Sequence, residues 1–258
     1  MRDDLGNRMK GYENINRNYL MKRNPIIIRL DGKAFHTFTQ GFKRPFDKIL
    51  IETMQETAKY LCENIQGCKI AYTQSDEITL LLTDYEKIDT QGWYEYNIQK
   101  IVSISASMST LAFNNIFNKI VFESSLSLEE HKVYLSKLSK GALFDSRVFS
   151  IPKEEVCNCF IWRQQDATRN SIQMVGQANF SHKELHKKSC DDIQEMLFQK
   201  GINWNDLDTY LKRGSCIIKE KYVKDTGSGE IYRTRWIVDK DIPIFTKDRD
   251  YIDKYVFV

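Results

Sequence analysis

Little in this 258-residue chain interrupts it or links it covalently. Four prolines and twelve glycines are too few for a Pro- or Gly-rich linker or a low-complexity tract. No apolar run approaches the roughly 18 residues of a membrane helix, so no membrane partner is expected. Met1-Arg2-Asp3-Asp4 is not the start of a secretory signal, which makes a cytoplasmic location the expectation. Cys62, Cys68, Cys157, Cys159, Cys190 and Cys216 contain no C-x-x-C pair. His182-Lys183-Glu184-Leu185-His186 is not the metalloprotease His-Glu-x-x-His. No zinc pattern results, and reduced, mostly buried thiols are the reading.

What is present suits a packed, water-soluble chain. Hydrophobic residues are 41% and charged residues 28%, enough for an ordinary core. The length fits one large domain or a domain with an elaborated end. Net charge is +3, which by itself does not demonstrate a nucleic-acid partner. The cations do cluster: Arg17, Lys22 and Arg23; Lys43 and Arg44; Lys183, Lys187 and Lys188; and Lys212, Arg213, Lys219, Lys221 and Lys224. Taken one at a time, such clusters are ordinarily a solvated face.

Residues 1–24 read as a helix plus a loop. Pro25 to Leu30 is a β-branched run bounded by Pro and Gly, hence a buried strand. Phe35 to Pro45 reads as a loop. Asp47 caps a helix to about Ile65, with Leu50, Ile51, Met54, Ala58, Leu61 and Ile65 at helical spacing. Cys68–Thr73 and Glu77–Thr83 form an antiparallel hairpin turning at Gln74-Ser75. Trp93 to Phe117 is a long helix with Ile101, Ile104, Ser105, Met108, Leu111, Ala112 and Phe113 on its apolar face. Ala142 to Ile151 is a fourth strand. The order β-α-β-β-α-β is the split, ferredoxin-like pattern, so the fold class is α+β, a sheet with two helices on one face and the other face free. Residues 1–151 are the expected catalytic unit, palm-like in layout.

Residues 152–258 form a helical and β-hairpin elaboration. Lys153 to Gly176 is a helix. Ser181 with Glu184 makes a capping box, and Ser189 starts a helix to Lys200. Residues 215–238 alternate as a hairpin turning at Asp225-Thr226-Gly227-Ser228-Gly229. Pro243 to Val258 reads as a surface segment.

The chemistry gathers at two short sequences. Asp31-Gly32 ends the first strand and Ser75-Asp76-Glu77 opens the third. Each is also an ordinary turn sequence. The β-α-β-β order puts those strands side by side, so Asp31 and Asp76 meet, and two close carboxylates repel unless cations compensate. A pair of Mg²⁺ ions is the simplest solution. Gly32 lets a ligand approach the backbone, and its carbonyl can join the metal site. Glu77 points to the opposite side from Asp76 and is not read as a ligand. Backbone amides after Gly32 suit a triphosphate, which Lys33, Lys43 and Arg44 neutralise. Phe35, His36 or Phe42 can stack on a base, although Phe35 and Phe38 also read as core.

Larger motifs surround these residues. Arg29-Leu30-Asp31-Gly32-Lys33-Ala34-Phe35-His36-Thr37-Phe38, Arg44-Pro45-Phe46-Asp47 and Ala71-Tyr72-Thr73-Gln74-Ser75-Asp76-Glu77 come first. Phe144-Asp145-Ser146-Arg147, Trp162-Arg163-Gln164-Gln165-Asp166 and Lys212-Arg213-Gly214 follow in order. Together they resemble the tRNA-histidine guanylyltransferase superfamily over most of residues 1–220. The resemblance implies a palm-like nucleotidyltransferase that extends tRNA in the 3′-to-5′ direction. A nucleoside triphosphate (ATP or GTP) activates the tRNA 5′ end, and the 3′-hydroxyl of the incoming nucleotide attacks it. By similarity Asp31, the Gly32 carbonyl and Asp76 bind two Mg²⁺. Asp31, Gly32, Lys33, Ala34, Phe35, His36, Ser75 and Asp76 hold the nucleotide, and Arg29, Arg44, Asp47 and Lys100 are further phosphate or ribose candidates. The resemblance also suggests a homotetramer.

One stretch departs from the family. A His-Ile-Asn-Asn-type motif that reads histidine tRNA is replaced by Ala167-Thr168-Arg169-Asn170-Ser171. The chain therefore resembles the like-protein branch, which repairs 5′-truncated tRNA by templated addition. A histidine-tRNA guanylyltransferase, a nucleotide cyclase and a non-catalytic RNA-binding module are the alternatives. The last lacks its aromatic RNP pattern. Basic residues at 183–188 and 212–224 are the expected contacts to tRNA phosphates.

Overall fold

The computed structural model describes residues 4–225 and 230–257. Helix α1 (Asp4–Asn14) buries none of its residues. Strand β1 (Ile26–Gly32) sends Ile26, Ile28 and Leu30 to one face and Ile27 to the other, all fully buried. The expected loop after it contains one helical turn, α2 (Phe35–Phe38), entered through Ala34 in the left-handed region at φ 54°. Three-residue spacing drives both phenylalanine rings inward, 5.1 Å apart.

Helix α3 (Lys48–Asn64) starts where expected, with Asp47 accepting from the Leu50 amide at 3.0 Å. Strands β2 (Cys68–Gln74) and β3 (Glu77–Leu82) form the anticipated hairpin. Helix α4 (Ile98–Glu123) starts later than expected, because Asn97 is its cap and accepts from the Lys100 amide at 3.0 Å. Ile101, Ser105, Ala112 and Phe113 face the core. Ile104 and Leu111, read as core, are exposed. They lie seven residues apart on a flank turned away from the sheet.

Helix α5 (Leu128–Leu138) has no counterpart in the sequence reading, although the capping box Ser127–Glu130 marks its start. Strand β4 (Phe144–Ser150) follows. Then come α6 (Lys153–Asn179), the short α7 (His182–Leu185) behind its Ser181–Glu184 box, α8 (Cys190–Gln199) and α9 (Thr209–Arg213). Strands β5 (Ser215–Asp225) and β6 (Glu230–Asp239) pair as the expected hairpin. The turn expected at 225–229 lies outside the described residues at 226–229. A short helix α10 (Asp250–Asp253) closes the chain.

All strands join one antiparallel sheet in the order β4-β1-β3-β2-β5-β6. The first four follow the split β-α-β order that the sequence predicts. Strand β5 adds to β2 through Ala71↔Ile217 and Thr73↔Ser215, so the C-terminal hairpin widens the same sheet. One face, with Ile28, Leu30, Ile78 and Leu80, packs on α3 and α4 around Met54, Phe113 and Phe117.

The other face, expected to be free, is covered. Ile27, Ile70, Tyr72 and Leu81 pack on Val156, Cys157 and Phe160 of α6 and on Ile242, Phe245, Ile252 and Val256. The end of the chain is thus a core strap and not a surface segment: Phe245, Ile252 and Val256 are fully buried. Gln164 fastens it, donating to the Pro243 carbonyl at 2.9 Å and accepting from the Phe245 amide at 2.9 Å. Apolar residues on both faces of β1 and β3 require such a second cover.

Candidate active site

On the α6 side of the sheet, register sets three carboxylates in one row. Asp31 is opposite Glu77 of β3 and Asp145 of β4, and cross-strand partners share a face. The protein treats them differently. Glu77 is buried and gripped by the Arg163 fork, Nε to Oε1 at 2.6 Å and Nη2 to Oε2 at 2.7 Å. Burial raises the Glu77 carboxyl against the pull of Arg163. The same guanidinium donates to Asp166 at 2.9 Å, which also accepts from Arg169 at 2.8 Å. These two arginines overcome burial and hold the Asp166 carboxyl low. Asp145 is exposed and paired with Arg147 at 3.4 Å. Among the described residues, no lysine or arginine forms an ion pair with Asp31 or Asp76.

Asp76 reaches Asp31 because the β2–β3 turn is lashed to the end of β1. Ser75 takes a left-handed backbone at φ 50°, and the Gly32 amide donates to the Asp76 carbonyl at 3.0 Å. Burial raises the Asp76 carboxyl, the Ser75 hydroxyl opposes at 3.0 Å, and the Asp31 charge raises it further. Only glycine fits at 32, since a Cβ there would meet the Phe35 ring at 2.3 Å. An uncompensated, partly buried pair of carboxylates beside a backbone carbonyl is a hard-oxygen donor set. It fits Mg²⁺, which completes its shell with ligand oxygens and water. No cluster of three or more His, Cys, Asp or Glu able to hold a metal occurs among the described residues, so Asp145 does not complete a third-carboxylate cage.

A cleft of about 530 Å³ opens beside Asp76. Its walls bring together Gly32, Ala34, Phe35, His36, Arg44, Asp47, Ser75 and Asp76 from the predicted set. Others have different roles. The Phe35 ring is locked in the core against Phe38, Phe113 and Phe144 at 5.1–5.5 Å, so it cannot stack on a base. The Phe42 ring is likewise held by Tyr134 at 4.9 Å. Of the three proposed stacking rings, His36 alone is exposed.

The Asp47 carboxylate is consumed by the Leu50 amide at 3.0 Å, the Lys43 amide at 3.0 Å and the Tyr134 hydroxyl at 2.6 Å. Its side chain therefore serves the fold. Lys43 pairs with Glu130 at 2.7 Å, which pulls that carboxyl down to about 2. Amides of Gly32 and Lys33 bond within the rim, so a phosphate cradle has to begin at Ala34. Lys100 lies elsewhere, in a groove with Lys10, Asn14 and Arg17 between α1 and α4. Arg29 sits 5.3 Å from the Trp162 ring.

A smaller apolar pocket of about 90 Å³ continues from the cleft past Leu50, Ser75 and Met174 to Asn170, Tyr210 and Gly214. Gly214 takes φ 79°, and a Cβ there would meet the Thr73 carbonyl at 2.6 Å, which explains the glycine of the late basic motif. Arg163 had no assigned role in the sequence. Its signal was spacing, three residues after Phe160 and four before Ala167, on the buried stripe of α6.

A family model described as tRNAHis guanylyltransferase matches residues 6–152. The chain belongs to the tRNAHis guanylyltransferase family. Members of this family are nucleotidyltransferases, and the match spans β1 to β4 with the cleft's acidic rim. A bacterial tRNAHis guanylyltransferase-like protein solved in complex with ATP is 48% identical. It covers 98% of this chain and 99% of its own, with a TM-score of 0.85. One in complex with GTP is 45% identical, covering 99% and 100%, with a TM-score of 0.82. A tRNAHis guanylyltransferase from Debaryomyces hansenii is 28% identical over 217 residues, 79% of this chain and 76% of its own. The family resemblance drawn from the motifs is borne out, as is the mixed helix-and-sheet fold.

Proposed function

We propose that this nucleotidyltransferase adds nucleotides in the 3′-to-5′ direction to the 5′ end of tRNA, under the guidance of a template, and so repairs truncated tRNA. The observation that carries the reading is the uncompensated Asp31–Asp76 pair, of which Asp76 lines the cleft and Asp31 lies next to its lining residue Gly32. Near-full-length relatives with ATP and GTP bound support these triphosphates as substrates. Asp31, Asp76 and the Gly32 carbonyl would hold two Mg²⁺. Bound there, the ions would lower the pKa of the attacking 3′-hydroxyl and offset charge on the phosphorus.

The chain's own part is placement. Ala34 to His36 and Ser75 border the triphosphate, and Arg44 supplies a cation that has no ion pair among the described residues. Arg163 neutralises Glu77, so the rim's free negative charge is confined to the two residues that face the ligand. Leu50 and Met174 give the cleft an apolar wall. No protein nucleophile is required.

A histidine-tRNA guanylyltransferase is the second reading, favoured by the family description itself. Against it, the family histidine is missing from the stretch 167–171, within which Thr168 donates back to the Gln164 carbonyl at 3.0 Å. The deciding assay offers tRNA lacking its first nucleotide beside intact histidine tRNA, with each of the four triphosphates. Templated addition to the truncated tRNAs is expected, and preference for intact histidine tRNA would overturn the ranking. A homotetramer is also proposed: α1 exposes Leu5, Met9 and Tyr12, and α4 exposes Ile104 and Leu111. Sedimentation would test it. No helix among the described residues is long and apolar enough to cross a membrane, and a cytoplasmic site of action is part of the proposal.

A further inference from the structure

A second groove of about 540 Å³ runs along α6, α7 and the start of α8. It shares Arg44 and Gln177 with the nucleotide cleft, so the two are continuous. Arg44, Lys187 and Lys188 give it three permanent cations, and His182 and His186 add imidazoles whose ring centroids are 6.5 Å apart. Among the described residues, no carboxylate lines it. The segment does contain acids: Asp191 is exposed and does not line the groove, and helix caps hold the other two. Glu184 Oε2 accepts from the Ser181 amide at 2.8 Å and hydroxyl at 2.7 Å. Asp192 Oδ2 accepts from the Ser189 amide at 2.9 Å and hydroxyl at 2.8 Å.

Lys188 helps to lower Asp192, after those Ser189 bonds, without pairing to it. Among the described residues, none of Arg44, Lys187 and Lys188 is in an ion pair. The floor is firm. Ile193 packs with Ile172, Val175 and Leu197, and a Cβ on Gly176 would meet Ile193 at 2.7 Å.

We propose that this groove carries consecutive phosphodiesters of the RNA strand whose 5′ end lies in the cleft. The inference rests on the RNA-extending reading above; it deepens the expectation that the basic residues at 183–188 meet tRNA phosphates, by naming the groove and its junction with the cleft at Arg44. Arg44 comes from the segment before α3, and Lys187 and Lys188 from the link between α7 and α8, so cations reach the groove from separate segments, which suits a chain of charges better than one anion. Gln173 and Gln177 present amides along the same wall, able to meet ribose hydroxyls. Arg44 stands at the junction and serves both compartments.

The test compares wild type with Lys187→Glu/Lys188→Glu for binding of a 5′-truncated tRNA across a salt series, for ATP binding, and for nucleotide addition. Both lysines are exposed, so thermal melting of the variant should match wild type. RNA affinity should fall at least about tenfold, with a salt slope shallower by roughly 1 to 2, since each lost phosphate contact removes about 0.7–0.9. ATP affinity should not change. Unchanged RNA affinity and slope would overturn the proposal. Loss of a second bound triphosphate with RNA binding intact would also overturn it, by assigning the groove to a small polyphosphate. If wild type binds the RNA through these lysines but adds no nucleotide, the repair reading fails while the groove stands.

Discussion

The two faces of the central sheet are covered in different ways. Against α3 and α4, the contacts are aliphatic and aromatic, with Phe38, Phe113, Phe117 and Tyr134 in one continuous ring cluster. Against α6, an apolar floor gives way at the rim to charge: Glu77, Arg163, Asp166 and Arg169 in series, with Asp31 beside them. One face holds the sheet together. The other spends arginines to leave a chosen pair of carboxylates unpaired. Adjacent residues show the contrast most plainly, since Glu77 is gripped by Arg163 and Asp76, one position earlier, has no ion pair among the described residues.

The largest effects should come from deleting the unpaired pair. Asp31→Ala or Asp76→Ala should lower nucleotide addition at least about a thousandfold, some 4 kcal/mol of transition-state stabilisation, with the melting temperature preserved. Full activity in Mg²⁺ would dissolve the distinction between Asp76 and Glu77. Next in size are changes that unfold rather than inactivate. Phe113→Ala should cost about 3–5 kcal/mol in urea titration. Arg163→Met should cost a similar ~3–5 kcal/mol by stranding the Glu77 charge. The double variant Glu77→Gln/Arg163→Met should recover most of that loss, whereas no second change at Glu77 should rescue Phe113→Ala. If the double variant is no more stable than Arg163→Met, the α6 face is held by packing and not by charge compensation.

Smaller effects test the assignments inside the cleft. Asp47→Ala should cost about 1–2 kcal/mol, the usual range for a lost helix cap, with little change in ATP affinity. A large affinity loss at unchanged stability would return Asp47 to the ligand.

Asp76 gives the smallest and most specific effect. Its native pKa is raised, so the native state takes up its proton more readily than the unfolded chain, and the ionised group is a stability penalty at neutral pH. Without metal, Asp76→Asn should therefore melt slightly higher than wild type at pH 7. The advantage should fade as pH falls through the raised native value and vanish below about 4, the ordinary aspartate range. A variant that melts lower at pH 7 would mean that Asp76 is compensated after all.

Much of this was legible in the chain itself. The β-branched run before Asp31, the cap at Asp47 and the short turn at Ser75 are local signals, and each produced the element expected. Helix α5 was equally local, and its capping box went unread. What failed were statements about partners. Ile104 and Leu111 fit a helical period, yet which flank of α4 meets the sheet depends on where α3 lies. Phe35 and Phe42 looked able to stack on a base until their rings were found spent on Phe113, Phe117 and Tyr134. Asp47, read as a cap and also as a ligand candidate, gives its second oxygen to a tyrosine 87 positions away.

By itself, then, the sequence determined the strand and helix order, the placing of Asp31 and Asp76 at strand ends, and the family motifs. Those follow from periodicity, capping and turn chemistry, which act over a few residues. Only the tertiary structure decided that α6 and the C-terminal strap cover the second face, that Arg163 cancels Glu77 and not Asp76, and that Lys100 is remote from the cleft. Those outcomes depend on which charges and rings meet across long separations, and burial makes each such meeting costly to leave unsatisfied.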